Sequence, residues 1–256
     1  MKHLTFLKLF LAGSLLAFAG VAAAETKTAK SPDNRVVMLE LYTSEGCSSC
    51  PPADRFLSGL KTAGISSRQL VPLSFHVTYW DYIGWRDRYA DQAYDDRQRL
   101  QARRNNQRTI YTPQFMMSGD DYRRYASFDT DVAELVKQPA PLDLVLSSTR
   151  SDDLLELKLN ASRTQGQNVG LYFAVVEHNL SSSVDEGENE GETLHHDYVV
   201  RQLHGPFSAS KQSGNSASVR LQLDPEWKLP DMHIVGFAEN QRSGEILQVV
   251  KLEPWH

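Results

Sequence analysis

The chain has 256 residues and a formal net charge of −5; removing Lys2 and Lys8 from the 27 basic residues leaves 25 against 32 acids, about −7. A field of that sign argues against nonspecific nucleic-acid binding. Two cysteines suit an exported chain whose core needs no disulfide staples, and the length allows one large domain or two modest ones.

Lys2 and Lys8 flank and interrupt an apolar run from Leu4 to Val21, and Ala22-Ala23-Ala24 offers small residues to signal peptidase. This pattern predicts a signal peptide over residues 1–24, with the mature protein periplasmic or secreted. A transmembrane anchor is the poorer fit, because the run is interrupted and falls short of about twenty residues. No other segment approaches that length, so no membrane span is expected in the mature chain. The polar stretch 25–34, with its lysines, threonines and Pro32, reads as a disordered leader.

Val36 to Thr43 is apolar and β-branched, a buried strand that breaks at Ser44-Glu45-Gly46. Cys47 and Cys50 follow, then Pro51-Pro52, which suit a first helical turn because its N–H groups lack intrahelical acceptors. Phe56, Leu57 and Leu60 continue the helical pattern to Gly64. Two sulfurs at such a corner lie where helix dipole and free amides stabilise a thiolate, the form that attacks disulfides. A structural staple across so short a loop is worth only about 2 kcal/mol before strain. A zinc site needs about four ligands, and His76, the next histidine, has no metal-like spacing around it. Cys47 is expected to be exposed and Cys50 more buried.

Leu70 to Val77 reads as a second strand, with Pro72 its weak point. Thr78 to Asp87 is dense in aromatics, among them Trp80, Tyr82 and Trp85; such side chains gather at ligand-facing loops or cap a core. Asp87 to Gln107 is a polar helix whose arginines (Arg97, Arg99, Arg103, Arg104 and Arg108) suit a solvated face better than a basic docking patch. Tyr111-Thr112-Pro113-Gln114 enters an apolar strand directly through a proline, an arrangement that fits a cis Thr112–Pro113 bond. A short helix follows over Asp129 to Lys137.

This order resembles the thioredoxin fold over roughly Arg35 to Gln138. The stretches ELYTSEGCSSCPPAD, FHVTYWDYIGWRD and YTPQ look like those of an exported, thioredoxin-like bacterial family known only as a domain of unknown function. The resemblance implies Cys47 as attacking thiolate, Cys50 as resolving thiol and Pro113 as part of a partner groove. Ser48-Ser49 departs from the usual Gly-Pro between the cysteines. Hydroxyls there favour the thiolate, whereas Glu45 opposes it.

Pro139-Ala140-Pro141 reads as a domain boundary. Beyond it, alternating stretches predict strands at 142–147, 154–160, 170–178, 198–203, 217–223, 233–238 and 246–252, an antiparallel β-sandwich. The acidic insertion 185–192 lacks calcium-loop spacing and reads as a solvated turn. The adjacent His195 and His196 point to opposite faces of a strand, so they are no chelating pair.

The expected fold class is therefore α/β, a thioredoxin-like domain over 35–138 followed by a smaller antiparallel β-sandwich-like domain over 139–256. The expected function is a thiol–disulfide oxidoreductase working on client protein thiols or disulfides with a separate redox partner, and with no metal or cofactor. Cys47 and Cys50 would carry the chemistry, with Thr112, Pro113, Trp80, Tyr82 and Trp85 binding substrate. The competing reading is a redox-silent scaffold that binds a protein or glycan.

Overall fold

The computed structural model describes residues 25–162, 168–209 and 214–253. The predicted signal peptide lies outside them. In chain order the elements are β1 (Glu25–Lys30), β2 (Val37–Thr43), α1 (Pro51–Gly59), β3 (Leu70–His76), α2 (Gln92–Arg104), β4 (Gln114–Met117), β5 (Asp120–Tyr122) and α3 (Phe128–Leu135). Then come β6 (Asp143–Ser151), β7 (Leu154–Ser162), β8 (Val169–Glu177), β9 (Leu180–Ser183), β10 (Thr193–His196), β11 (Val199–Ala209), β12 (Ser216–Gln222), β13 (Met232–Asn240) and β14 (Ile246–Leu252).

One eight-stranded sheet, in the order β14-β13-β8-β11-β3-β2-β4-β5, draws four strands from each side of Pro139. A four-stranded antiparallel sheet, β1-β6-β7-β12, packs against part of it, and among the described residues β9 pairs with β10 alone. This corrects the expected fold class. The protein is mostly β-sheet with large multi-strand sheets, not a thioredoxin-like α/β domain followed by a small β domain. The physical reason lies in β8, which is buried on both faces. Its Leu171, Phe173 and Val175 join the core under the four-stranded sheet, while Tyr172, Ala174 and Val176 join the core under the helices. A strand buried on both sides is sheet interior rather than one wall of a separate sandwich.

Strands β6 and β7 show the alternation of a sheet with one face covered. Leu144, Leu146, Leu155, Leu157 and Leu159 point inwards. The polar stretch 25–34 is corrected in part, because Glu25–Lys30 forms an edge strand along β6, with Glu25 opposite Arg150 and Lys30 opposite Val145. Strand β6 otherwise has an open edge there, and its backbone groups supply the partners. Pro72 sits inside fully buried β3 without penalty, since β11 meets β3 only at Ser74 and the missing N–H is not needed.

Helix α2 starts on an Asp91 cap that accepts from the Ala93 amide, and it is not simply solvated. Arg97 is buried, its Nε 2.7 Å from Glu40 Oε1 and its Nη1 2.8 Å from Glu239 Oε2. Arg104 adds a bond of 2.7 Å to Glu239 Oε1. The helix thereby ties β2 to β13 across the sheet.

Candidate functional site

The site grows from the end of β2, where Ser44 begins two tight turns. The Cys47 amide donates to the Ser44 carbonyl (3.2 Å) and the Cys50 amide to the Cys47 carbonyl (3.1 Å). The Ser44 hydroxyl accepts from the Gly46 amide. Cys50 occupies the N-cap of α1, with Pro51 and Pro52 in the first turn, so the sulfurs stand at the positive end of the helix dipole. The free amides expected there are absent, because both prolines lack an N–H and the Ala53 and Asp54 amides donate to the Cys50 carbonyl. Cys47 and Cys50 are joined in a disulfide, with Cα atoms 5.4 Å apart. The Ser49 hydroxyl lies 3.3 Å from Cys47 Sγ and is the donor, because a disulfide sulfur carries no hydrogen.

Beside the disulfide is a buried group of acids and histidines. Glu45 is wholly buried, its Oε1 3.1 Å from His196 Nε2, and its Oε2 accepts from Trp85 Nε1 at 2.8 Å. The Glu45 amide donates to Asp87 Oδ2 (2.9 Å), which also meets His76 Nδ1 at 2.6 Å. The His76 and His196 rings meet edge to face, 4.8 Å between centroids. Asp54, one turn past Cys50 on α1, accepts from the Thr43 hydroxyl and lies 4.0 Å from His196 Nδ1. His76 Nε2 and His196 Nδ1 have no hydrogen-bond partner among the described residues.

These environments move the charges predictably. Burial by itself lowers the pKa of His76, but the Asp87 carboxylate outweighs it and holds the imidazole above its ordinary value. Burial raises Asp87, yet the His76 charge and hydrogen bonds bring it below the usual carboxylate range. Each partner thus favours the charged form of the other. Asp54 goes the other way: burial raises its pKa more than the two histidines lower it.

The aromatic segment forms a 3-10 turn, Thr78–Ile83, ended by Gly84 at φ 102°. Gly46 packs against it so closely that a Cβ would come within 3.1 Å of Ile83 Cδ1 and 3.3 Å of Trp80 Cβ. Of the residues expected to bind substrate, Trp80 and Thr112 are brought together, Trp80 Nε1 donating to Thr112 Oγ1 at 2.6 Å. Tyr82 stacks on Trp80 at 6.3 Å and is 79% exposed. Trp85 instead turns towards Glu45. The Thr112–Pro113 bond is cis, and Pro113 is half-buried.

A further expectation fails here. Cys47 is no more exposed than Cys50, since both are 0% accessible. The acidic insertion is largely exposed, as a solvated turn is, but its tip also lies on the disulfide turn. Glu188 Oε2 accepts from the Ser48 amide (3.0 Å), and the Asn189 side-chain amide donates to the carbonyls of Glu45 (2.7 Å) and Cys47 (3.1 Å). The Ser48 amide holds the Glu188 carboxyl below its usual range. Sequence reading also missed Asp54, His76, Asp87 and His196 as neighbours of the cysteines. Only His76 carried a signal, as a lone histidine within an apolar strand.

Fold and site together define a mostly β protein carrying a helix-terminal disulfide over a buried acid–histidine group. The chain belongs to the family described as protein of unknown function (DUF1223), which matches residues 38–239. A structural-genomics target from Agrobacterium tumefaciens is similar over 87% of this chain and 96% of its own, with 23% identity and a TM-score of 0.61. HBP35 of Porphyromonas gingivalis is similar over 88% of this chain and 78% of its own, with 13% identity and a TM-score of 0.64. At those identities the likeness concerns the fold alone. No curated protein matches the chain. Among the described residues no helix is long and apolar enough to cross a membrane, and no cluster of histidine, cysteine and acid side chains could hold a metal ion.

Proposed function

We propose that this protein is an exported thiol–disulfide oxidoreductase that works on protein cysteines through Cys47 and Cys50. The observation that carries the reading is the disulfide itself, seated at the N-terminus of α1 with a serine hydroxyl on Cys47 Sγ. The helix dipole and that hydroxyl both favour the thiolate that appears when the bond opens. In the reducing direction, the Cys47 thiolate attacks a client disulfide, forming a mixed disulfide and releasing one client thiolate. Cys50 then attacks Cys47 Sγ, the second client thiolate leaves, and the client has gained two electrons. The reverse sequence oxidises a client dithiol. The apolar run and small residues of 1–24 support a periplasmic or secreted location.

The test has two arms. The pair should cycle at a potential between about −300 and −100 mV, the range of catalytic couples. Cys50→Ser should accumulate mixed disulfides with client proteins, because the attacking thiol remains and the resolving thiol is gone; Cys47→Ser should trap almost none. Equal trapping by both variants, or none by either, would overturn the reading.

A further inference from the structure

Strands β9 and β10 pair only with each other among the described residues, forming an arm between β8 and β11. A two-stranded ribbon is at best marginally stable alone, so its position depends on what it touches. Its tip is closed by two backbone bonds, Val184 N–H to the Glu192 carbonyl and Gly191 N–H to the Val184 carbonyl. Glu188 and Asn189 hold the tip to Ser48, Glu45 and Cys47. Gly187 rests on the aromatic turn, where a Cβ would lie 3.1 Å from Ile83 Cδ1. At the arm's base, His196 meets Glu45. Ser48 and Ser49 reach solvent, yet both cysteines between which they lie are 0% exposed.

We infer that this arm is a displaceable cover over the disulfide, occupying the place of an extended client polypeptide. The tip presents one acceptor to the Ser48 N–H and one donor to the Cys47 carbonyl. That N–H and that carbonyl are opposite ends of one trans peptide unit and point opposite ways, so they take two separate side chains of the tip. A client polypeptide offers the Ser48 N–H the same kind of acceptor as Glu188, a backbone carbonyl oxygen, which a compact small thiol such as dithiothreitol lacks. When a client carbonyl takes the Ser48 N–H, the tip lifts and the client's sulfur gains access to Cys47. The identity of the occupant as a redox client rests on the oxidoreductase reading, whereas the cover itself does not.

The experiment uses the full oxidised protein. Hydrogen exchange at the Ser48, Val184 and Gly191 amides should run at one common rate, at least tenfold faster than in β8. In the Glu188→Ala/Asn189→Ala variant those three amides should speed up about tenfold again while β8 is unchanged, which also shows that the variant is folded. Reduction of the disulfide by dithiothreitol should accelerate by a similar factor. With an unstructured cysteine-bearing peptide as reductant, the rate in the unaltered protein should saturate with concentration, while with dithiothreitol it stays linear. Ser48 protected as strongly as β8, or reduction rates within twofold in both proteins, would overturn the cover. Linear kinetics with the peptide would overturn the polypeptide occupant. If the arm opens as described but the potential lies outside the catalytic range, the cover stands and the oxidoreductase reading falls.

Discussion

Glu40, in the middle of β2, and Glu45, two residues past its end, are both wholly buried, yet they meet opposite kinds of partner. Glu40 faces Arg97, a permanent cation that also pairs with Glu239 and lies over the rings of Phe75, Tyr172 and Phe237. Glu45 faces His196 and Trp85, next to a second histidine–carboxylate pair. The first network is centred on a guanidinium and joins α2 to both halves of the large sheet. The second contains His76, held above its ordinary value by Asp87, and it adjoins the disulfide. Burying charge costs several kcal/mol per ion unless it is paired; here one cluster serves architecture, and the other is suited to chemistry.

The comparison breaks first at Arg97. Arg97→Met keeps the length and the packing against the rings but leaves Glu40 without its counter-charge. Removing one partner of a buried pair costs about 3–5 kcal/mol, so the urea midpoint should fall steeply, and the two halves should lose cooperativity together. A loss below about 1 kcal/mol would mean that water reaches these carboxylates, and the contrast with the disulfide cluster would disappear.

The titratable cluster should show itself through pH. His76 is raised above its ordinary 6.5, so its contribution is complete below that value and is lost as pH climbs through the folded value. Asp87 is lowered below its ordinary 3.8, so its contribution is present above that value and is lost as pH falls through the folded value. The pair therefore stabilises most between about 4 and 6.5. Asp54, raised by burial, works in the opposite sense, since ionising it in the folded chain costs stability. His76→Gln should cost about 2 kcal/mol at pH 5.5 and clearly less at pH 9, measured by denaturant titration at both values. An equal loss at both would assign His76 a packing role alone.

Much of the fold was legible from local pattern. The strands predicted at 154–160, 170–178, 217–223, 233–238 and 246–252 coincide closely with β7, β8, β12, β13 and β14, since period-two alternation and apolar runs are local signals. Pro51-Pro52 marked the start of α1 for an equally local reason. Sheet membership was not legible. The uninterrupted apolar run of β8 does signal burial on both faces, but not which strands flank it. The site divides the same way. The cysteines announce themselves by spacing, whereas Ser48 and its partner Glu188 are 140 residues apart in sequence. The arm's strands, Leu-Ser-Ser-Ser and Thr-Leu-His-His, are too short and polar to predict. Asp54 carries no signal of its own, and Asp87 reads as the start of a polar helix, until the fold closes over them.

The smallest expected effect on stability sharpens the distinction between architecture and chemistry most. Tyr82 is 79% exposed and makes one ring contact, on Trp80. Trp80 is itself held by Thr112, so the pair presents a fixed aromatic step next to Gly46 and the disulfide turn. Exposed substitutions outside special features change stability by about 0.5 kcal/mol or less, and Tyr82→Ala should fall in that range. On the oxidoreductase reading, its effect should fall on client binding. Large rigid aromatics bind peptide surfaces at low entropic cost, so Tyr82→Ala should raise KM for a cysteine-bearing peptide several-fold with kcat unchanged, as expected when ground-state and transition-state binding are lost equally. Tyr82→Phe should restore most of the loss, because the ring, not the hydroxyl, stacks on Trp80. An unchanged KM would remove the aromatic step from the partner surface and leave client contacts to the arm's footprint at Ser48 and Cys47.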